Sequence, residues 1–346
     1  MQCHVHSIPR TSFSSALKET KTVSVRPVQY SVQVPLTDMS QAQDYKGEDG
    51  GLYGGDRNHP PQQHLDAALA ASKLIRPLCP AGQPSVEGLI GIVSIGPSNA
   101  EWEFEEFTRL ATTAPQTAAS LRFANGAQMK MHAAAWSNTP PNRPPWLTLN
   151  KRVAQSGLTM EQVQVAWVKH ALWRPARYGE FPWHAEALKN HMATTVQRLK
   201  VCCPNLRLAY LSSRVYAGYA NSELNPEPYA YESAFAIRWL IQAQVHGDIS
   251  LIHDAFDGPV MAPVLLWGPY LWANGAEGRK RDRLVWARRD FKHDGIHLSK
   301  LGNAKIAKLL MRFFATDQTA RIWFLKGSSD LQGEKACQSN IDSPCE

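Results

Sequence analysis

No apolar run in this chain approaches the roughly 18–20 residues needed to cross a bilayer, so no helical membrane span is expected. The first thirty residues, "MQCHVHSIPRTSFSSALKETKTVSVRPVQY", lack the continuous apolar core of about 7–15 residues that marks a secretory signal, and no export signal is read there. None of the six cysteines has C-x-x-C spacing, which leaves little support for a zinc site or a dithiol redox centre. Cys337 and Cys345 lie close together in the tail, where they could pair in an oxidising compartment or remain free thiols. His132, His184 and His191 have no partners at metal-ligand spacing and read as surface or satisfied core residues, so no metal site is read from them. No repeat or low-complexity block occurs.

Positive charge is present but not massed. The formal net charge is +7 and the isoelectric point about 9.1. The densest basic cluster, "GRKRDRLVWARR" at 278–289, is interrupted by aspartate and apolar residues and reads as a solvated loop. Nucleic-acid binding through it, which would show steep salt dependence, ranks last among the functional readings.

The composition, 44% hydrophobic and 19% charged, supports a sizeable core. Residues 1–60 are polar and end in the turn-rich "KGEDGGLYGGDRNHPPQQH", so they read as a loosely packed arm. One α/β domain is expected over 61–325, followed by a polar tail at 326–346. Four apolar, β-branched stretches read as buried strands: "GLIGIVSIG", "SLRFANGA" (120–127), "VQVAWVKH" (163–170) and "LRLAYLSS" (206–213). Helical spacing appears in "HLDAALAASKLI" (64–75), "EWEFEEFTRLA", 184–200, 231–245 and 300–314. Alternating strands and helices predict a mainly parallel sheet covered on both faces.

Ligands of such sheets bind beyond the carboxyl ends of the strands. The stretch "GIVSIGPSNA" places Ser98 at that point, just before a helical pattern. Ser98 there is either a nucleophile or, with Asn99, a plain helix cap. A nucleophilic serine needs a histidine base and a carboxylate to orient it. Asp-x-x-His in a tight turn supplies both, and it occurs three times: Asp56/His59, Asp290/His293 and Asp294/His297. The last pair directly precedes a capping serine, Ser299, and an amphipathic helix, which favours it; His293 stays a rival in register.

"SIGPSNA" and "DGIHLSKLGNAKIA" resemble the first and last blocks of the SGNH (GDSL-like) hydrolase superfamily, over roughly residues 45–325. The resemblance implies a three-layer α/β/α fold with a flavodoxin-like sheet and a serine esterase activity without metal or cofactor. It implies Ser98 as nucleophile, His297 as base, Asp294 as its orienting carboxylate, and an oxyanion hole from the Ser98 and Gly126 amides, with Asn125 and Gln128 close by. Three positions depart from the family pattern. Pro97 replaces an acidic residue, Leu298 replaces a proline, and Lys169 and His170 stand where an asparagine would donate to the oxyanion. Either Lys169 or His170 then donates instead, or the site is weak.

Further substrate contacts are expected from Asn99, Asn125 and Gln128, and from the loop 211–233, which offers Arg214, Tyr216, Tyr219, Asn225 and Glu232. Trp267, Tyr270 and Trp272 are either core or a platform for sugar rings. The expected partner is therefore a small-molecule or carbohydrate ester. A catalytically silent binding protein on the same fold is the alternative. The compartment stays open, since the resembled family is often secreted.

Overall fold

The computed structural model describes residues 33–327, so the tail cysteines Cys337 and Cys345 lie outside the described residues. After α1 (Gln62–Lys73), the chain forms β1 (Ile90–Ile95), α2 (Ser98–Thr113) and β2 (Leu121–Ala124). It continues with α3 (Ala133–Asn138), α4 (Trp146–Gln155), β3 (Val163–Val168), α5 (Trp183–Cys202) and β4 (Leu208–Leu211). It ends with α6 (Tyr229–Val245), β5 (Val264–Trp267), α7 (Lys300–Thr316) and α8 (Arg321–Phe324). The five strands pair in parallel in the order β2-β1-β3-β4-β5, the flavodoxin-like arrangement.

Each strand divides its residues between two cores. Val93 and Ile95 face a layer built from α3, α4, α5 and α6, while Ile90 and Ile92 face α1, α2, α7 and α8. Side chains alternate across a strand, and both faces here are covered, which is why β1 and β3 are buried along their whole length. The result is a three-layer α/β/α fold. β1 and β3 are neighbours whose connections leave in opposite directions, so their carboxyl ends open a crevice at a topological switch point.

The four strands read from sequence are present. β5 lies outside those four, because a run of four residues carries no usable periodicity. The aromatics Trp267, Tyr270 and Trp272 are core. Trp267 donates to the Leu52 carbonyl at 2.6 Å, Trp272 donates to Glu227 at 2.8 Å, and the Tyr270 hydroxyl accepts from the Leu36 amide. All three are buried, which removes them as a sugar platform.

The segment 33–60 departs from the loose arm expected of its glycines and prolines. Leu36, Met39, Tyr45, Leu52 and Tyr53 enter the core beside α5 and α6. Two buried charges on α6 also hold it. Glu232 accepts from the Tyr45 hydroxyl (2.7 Å), Lys46 (2.9 Å) and the His184 ring (2.6 Å), while Arg238 pairs with Glu48 and Asp49. Glu232 is thus a structural anchor and not a substrate contact. In the basic loop, Arg279 turns inward to Asp282 and the Tyr270 and Trp272 carbonyls, and Arg288 binds the carbonyls of residues 291–293.

Candidate active site

β1 ends at Ile95, and the chain then turns through Gly96 and Pro97 into α2. No side chain larger than hydrogen fits at Gly96: a Cβ would stand 2.7 Å from the Ala100 Cβ and closer still to the Lys169 carbonyl. The tight turn makes Pro97 the cap residue and Ser98 the first residue of α2. Pro97 offers no side-chain hydrogen bond, so no cap covers the first amides of this helix, and Pro97, Ser98 and Asn99 line the crevice at the positive end of its dipole. Neither Ser98 nor Asn99 is the cap.

The Ser98 hydroxyl lies 2.9 Å from the Nε2 of His297. His297 Nδ1 lies 2.5 Å from Asp294 Oδ2. A carboxylate only accepts, so Nδ1 carries the proton and Nε2 is left to accept from the Ser98 hydroxyl. The other Asp294 oxygen accepts from the amides of Ile296 (3.0 Å) and His297 (2.9 Å). Partial burial opposes the charge on Asp294, but these bonds from His297 and Ile296 outweigh it and hold the carboxyl below its ordinary range. Gly295 closes the turn in the left-handed region (φ +68°), packed against the Tyr219 backbone. Ser299 caps α7 through the Gly302 amide, fixing the loop to a rigid helix.

His293, the rival in register, is exposed. Its partner Asp290 is buried against Lys305 and the Ala287 amide, and His59 is exposed at the far end of the turn-rich segment. Only the Asp294/His297 turn meets Ser98.

Asn99 has a different part from the substrate contact expected of it. Its Nδ2 donates to the Ile296 carbonyl at 3.0 Å and its Oδ1 accepts from the Leu298 amide at 3.3 Å. The two bonds straddle His297 and tie its loop to α2, although Asn99 also borders the crevice. Trp102, one helical turn beyond Ser98, packs its ring 5.4 Å from the His297 ring, and the Lys292 ammonium stands 3.5 Å from the centre of the Trp102 ring. Sequence reading passed Trp102 over, although its i+4 spacing from Ser98 puts both on one helix face.

The crevice holds a volume of about 600 Å³. Its lining includes Ser98 and His297, Arg214, Leu224 and Asn225 from the segment after β4, and Leu172 and Trp173 in the chain leaving β3. Lys130 and Met129 are exposed at its edge. Asn225 donates to the Leu172 carbonyl at 3.1 Å and leaves its buried Oδ1 unpartnered.

Several residues expected at the site do not border this crevice. Lys169 turns to the α2 side of the sheet and forms a buried ion pair with Glu103. Burial pushes the lysine down and the glutamate up, each partly countered by the other's charge. His170, the next residue, points to the opposite face, against Trp136, where burial holds its pKa down at about 3. Alternation along the strand decides both outcomes: a side chain at either position faces a helical layer and not the strand's end. Asn125 joins the Ser94 hydroxyl (2.7 Å) to the Glu101 carbonyl (2.8 Å), and so ties α2 to the sheet. Gln128 donates to the Gly126 and Pro145 carbonyls, both at 3.0 Å. Gly126 packs against the Ser94 carbonyl and Leu149. Tyr216 packs on Tyr219 and Trp272.

Among the described residues no group of three or more His, Cys, Asp or Glu is arranged to hold a metal ion, and no helix is long and apolar enough to cross a membrane. No family model and no curated protein matches the chain. Solved structures similar to it include a carbohydrate esterase family 3 protein from Talaromyces cellulolyticus, at 11% identity and TM-score 0.39, over 64% of this chain and 94% of that one. A provisionally assigned acylhydrolase from Bacteroides fragilis is similar at 10% identity and TM-score 0.37, over 73% of this chain and 97% of that one. A protein from Arabidopsis thaliana is similar at 12% identity and TM-score 0.34, over 64% of this chain and 69% of that one.

Proposed function

We propose that the protein is a serine esterase that works through Ser98, His297 and Asp294. The observation that carries the reading is the linear relay from the Ser98 hydroxyl through both ring nitrogens of His297 to Asp294, opening into a crevice of substrate size. His297 Nε2 takes the hydroxyl proton as Ser98 attacks the ester carbonyl. Asp294 keeps the ring in the tautomer that can accept it and stabilises the resulting imidazolium. The developing oxyanion faces the uncapped amides at the start of α2, where the helix dipole favours negative charge. The protonated imidazole then gives its proton to the leaving alcohol, and water releases the acyl group by the same route.

A carboxylic ester is the substrate class. The carbohydrate reading no longer has Trp267, Tyr270 and Trp272 to lean on; Trp102 and Trp173 are the aromatic surfaces that the crevice offers to a ring. One observation favours a second reading, a silent binding protein: neither Lys169 nor His170 supplies the side-chain donor that would replace the missing asparagine. Losing one such donor typically costs about 10²–10³ in rate, which weakens an esterase without abolishing it.

Hydrolysis of p-nitrophenyl acetate by the purified chain tests the proposal. Ser98→Ala is expected to lower kcat by at least about 10³ with an unchanged melting profile. Equal turnover by the two proteins would refute it.

A further inference from the structure

Arg214 stands out among the charged residues of this fold. It follows β4 by three positions, is only 4% exposed, and still borders the crevice that holds Ser98 and His297. Its Nε and Nη2 atoms are buried without a partner, and no hydrogen bond to its guanidinium occurs among the described residues. Other inward-turned arginines among the described residues find partners for their terminal guanidinium nitrogens. Arg152 binds Glu101 and two backbone carbonyls, and Arg279 makes a two-pronged bond to Asp282 with two carbonyls behind it.

Two carboxylates act on Arg214 from a distance, and both are engaged elsewhere. Glu103 is held by Lys169. Glu227 accepts from the Ala217 amide (2.8 Å), the Tyr231 amide (2.9 Å) and the Trp272 ring nitrogen (2.8 Å). No Asp or Glu lines the crevice, while Lys130 adds a second positive charge at its edge. A guanidinium does not lose its proton in a protein, and a buried charge without a hydrogen-bonding partner is strongly unfavourable. A fold that keeps one beside a substrate crevice has its counter-charge arriving with the ligand. The planar fork of arginine matches a carboxylate through two parallel bonds.

We infer that the crevice is built for an ester that also carries a carboxylate, and that Arg214 binds this carboxylate while Ser98 attacks the ester carbonyl. The inference rests on the esterase reading and adds its substrate class. The carboxylate belongs either to the acyl part, as in a half-ester of a dicarboxylic acid, or to the alcohol part, as in an acetylated sugar acid.

Matched substrate pairs with the full chain test it. One pair is the p-nitrophenyl half-ester of glutaric acid against p-nitrophenyl butyrate; the other is an O-acetylated uronic acid against the O-acetylated neutral sugar. At least a tenfold higher kcat/KM for the acid member of one pair supports the proposal, and the pair that responds identifies which part bears the carboxylate. Arg214→Gln is expected to remove that preference mainly through KM, with Arg214→Lys retaining part of it. Glutarate should compete against p-nitrophenyl acetate with the unaltered protein, a measurement that needs no variant to fold. Turnover of p-nitrophenyl acetate with no preference in either pair and no competition would overturn the inference and leave the esterase reading standing. An Arg214→Gln loss in kcat equal on both members of each pair would also overturn it, since the guanidinium would then serve the oxyanion. No turnover of any ester would instead count against the esterase reading itself.

Discussion

The Ser98 hydroxyl and the His297 ring, 199 positions apart in sequence, stand 2.9 Å apart in the fold. β1 delivers the first at its carboxyl end, and the loop before α7 delivers the second. Their meeting depends on groups that no catalytic motif names, above all Asn99.

Asn99 holds the His297 loop by one donated and one accepted bond. Asn99→Ala removes both and is expected to lower kcat on p-nitrophenyl acetate about tenfold to a hundredfold, the range that follows from a misplaced reacting group, with KM changed much less. Asn99→Asp keeps the acceptor for the Leu298 amide but leaves the Ile296 carbonyl without its donor, so it should rescue only part of the loss. Steady-state kinetics on the three proteins, with circular dichroism as a fold control, checks this; a loss confined to KM would contradict it.

Asp294→Asn preserves an acceptor for the two turn amides, so the loop should keep its shape. The amide presented to the imidazole favours the wrong tautomer, and kcat is expected to fall by about 10³–10⁴ with little change in KM. Activity within tenfold of the parent would show that His297 does not depend on this carboxylate.

Lys169 and Glu103 form a buried pair that must be changed together. Lys169→Met alone strands the Glu103 charge and should cost about 3–5 kcal/mol of stability. Adding Glu103→Leu should restore most of that loss, because well-packed apolar residues replace a buried pair at little cost. Urea denaturation of the two singles and the double gives the coupling; additive losses would contradict it.

His170 is fully buried with neither ring nitrogen partnered. Burial, reinforced by His132 and His191 nearby, lowers its pKa from 6.5 to about 3. Between these values the unfolded chain binds a proton that the folded chain refuses, so stability rises with pH there and is lost on acidification. His132 and His191 are also lowered by burial and act in the same direction. His170→Leu should therefore shrink the stability difference between pH 8 and pH 5 by about 2 kcal/mol. An unchanged difference in urea denaturation would contradict the assignment.

The parallel sheet was legible because β1 and β3 are apolar on both faces, a pattern that few other elements produce. The Asp294/His297 turn was legible because Gly295, Ser299 and a helix surround it. Three features were not. β5 is too short to show a period. The segment 33–60 is dominated by turn residues, and its docking depends on Glu232 and Arg238, buried partners nearly two hundred positions away. Lys169 and His170 were placed by the end of their strand, whereas the pleat sends them into opposite layers. Arg214 was legible as a cleft-loop residue, but its missing partner becomes visible only once every neighbouring carboxylate has been assigned.

Labelling with a fluorophosphonate probe, followed by peptide mapping, reads the activation of Ser98 by His297 itself. Stoichiometric modification at Ser98 is expected in the folded chain, and its loss in His297→Ala, because His297 is the ring that takes the hydroxyl proton. A folded, unlabelled protein, or labelling at Ser98 that persists without His297, would contradict it.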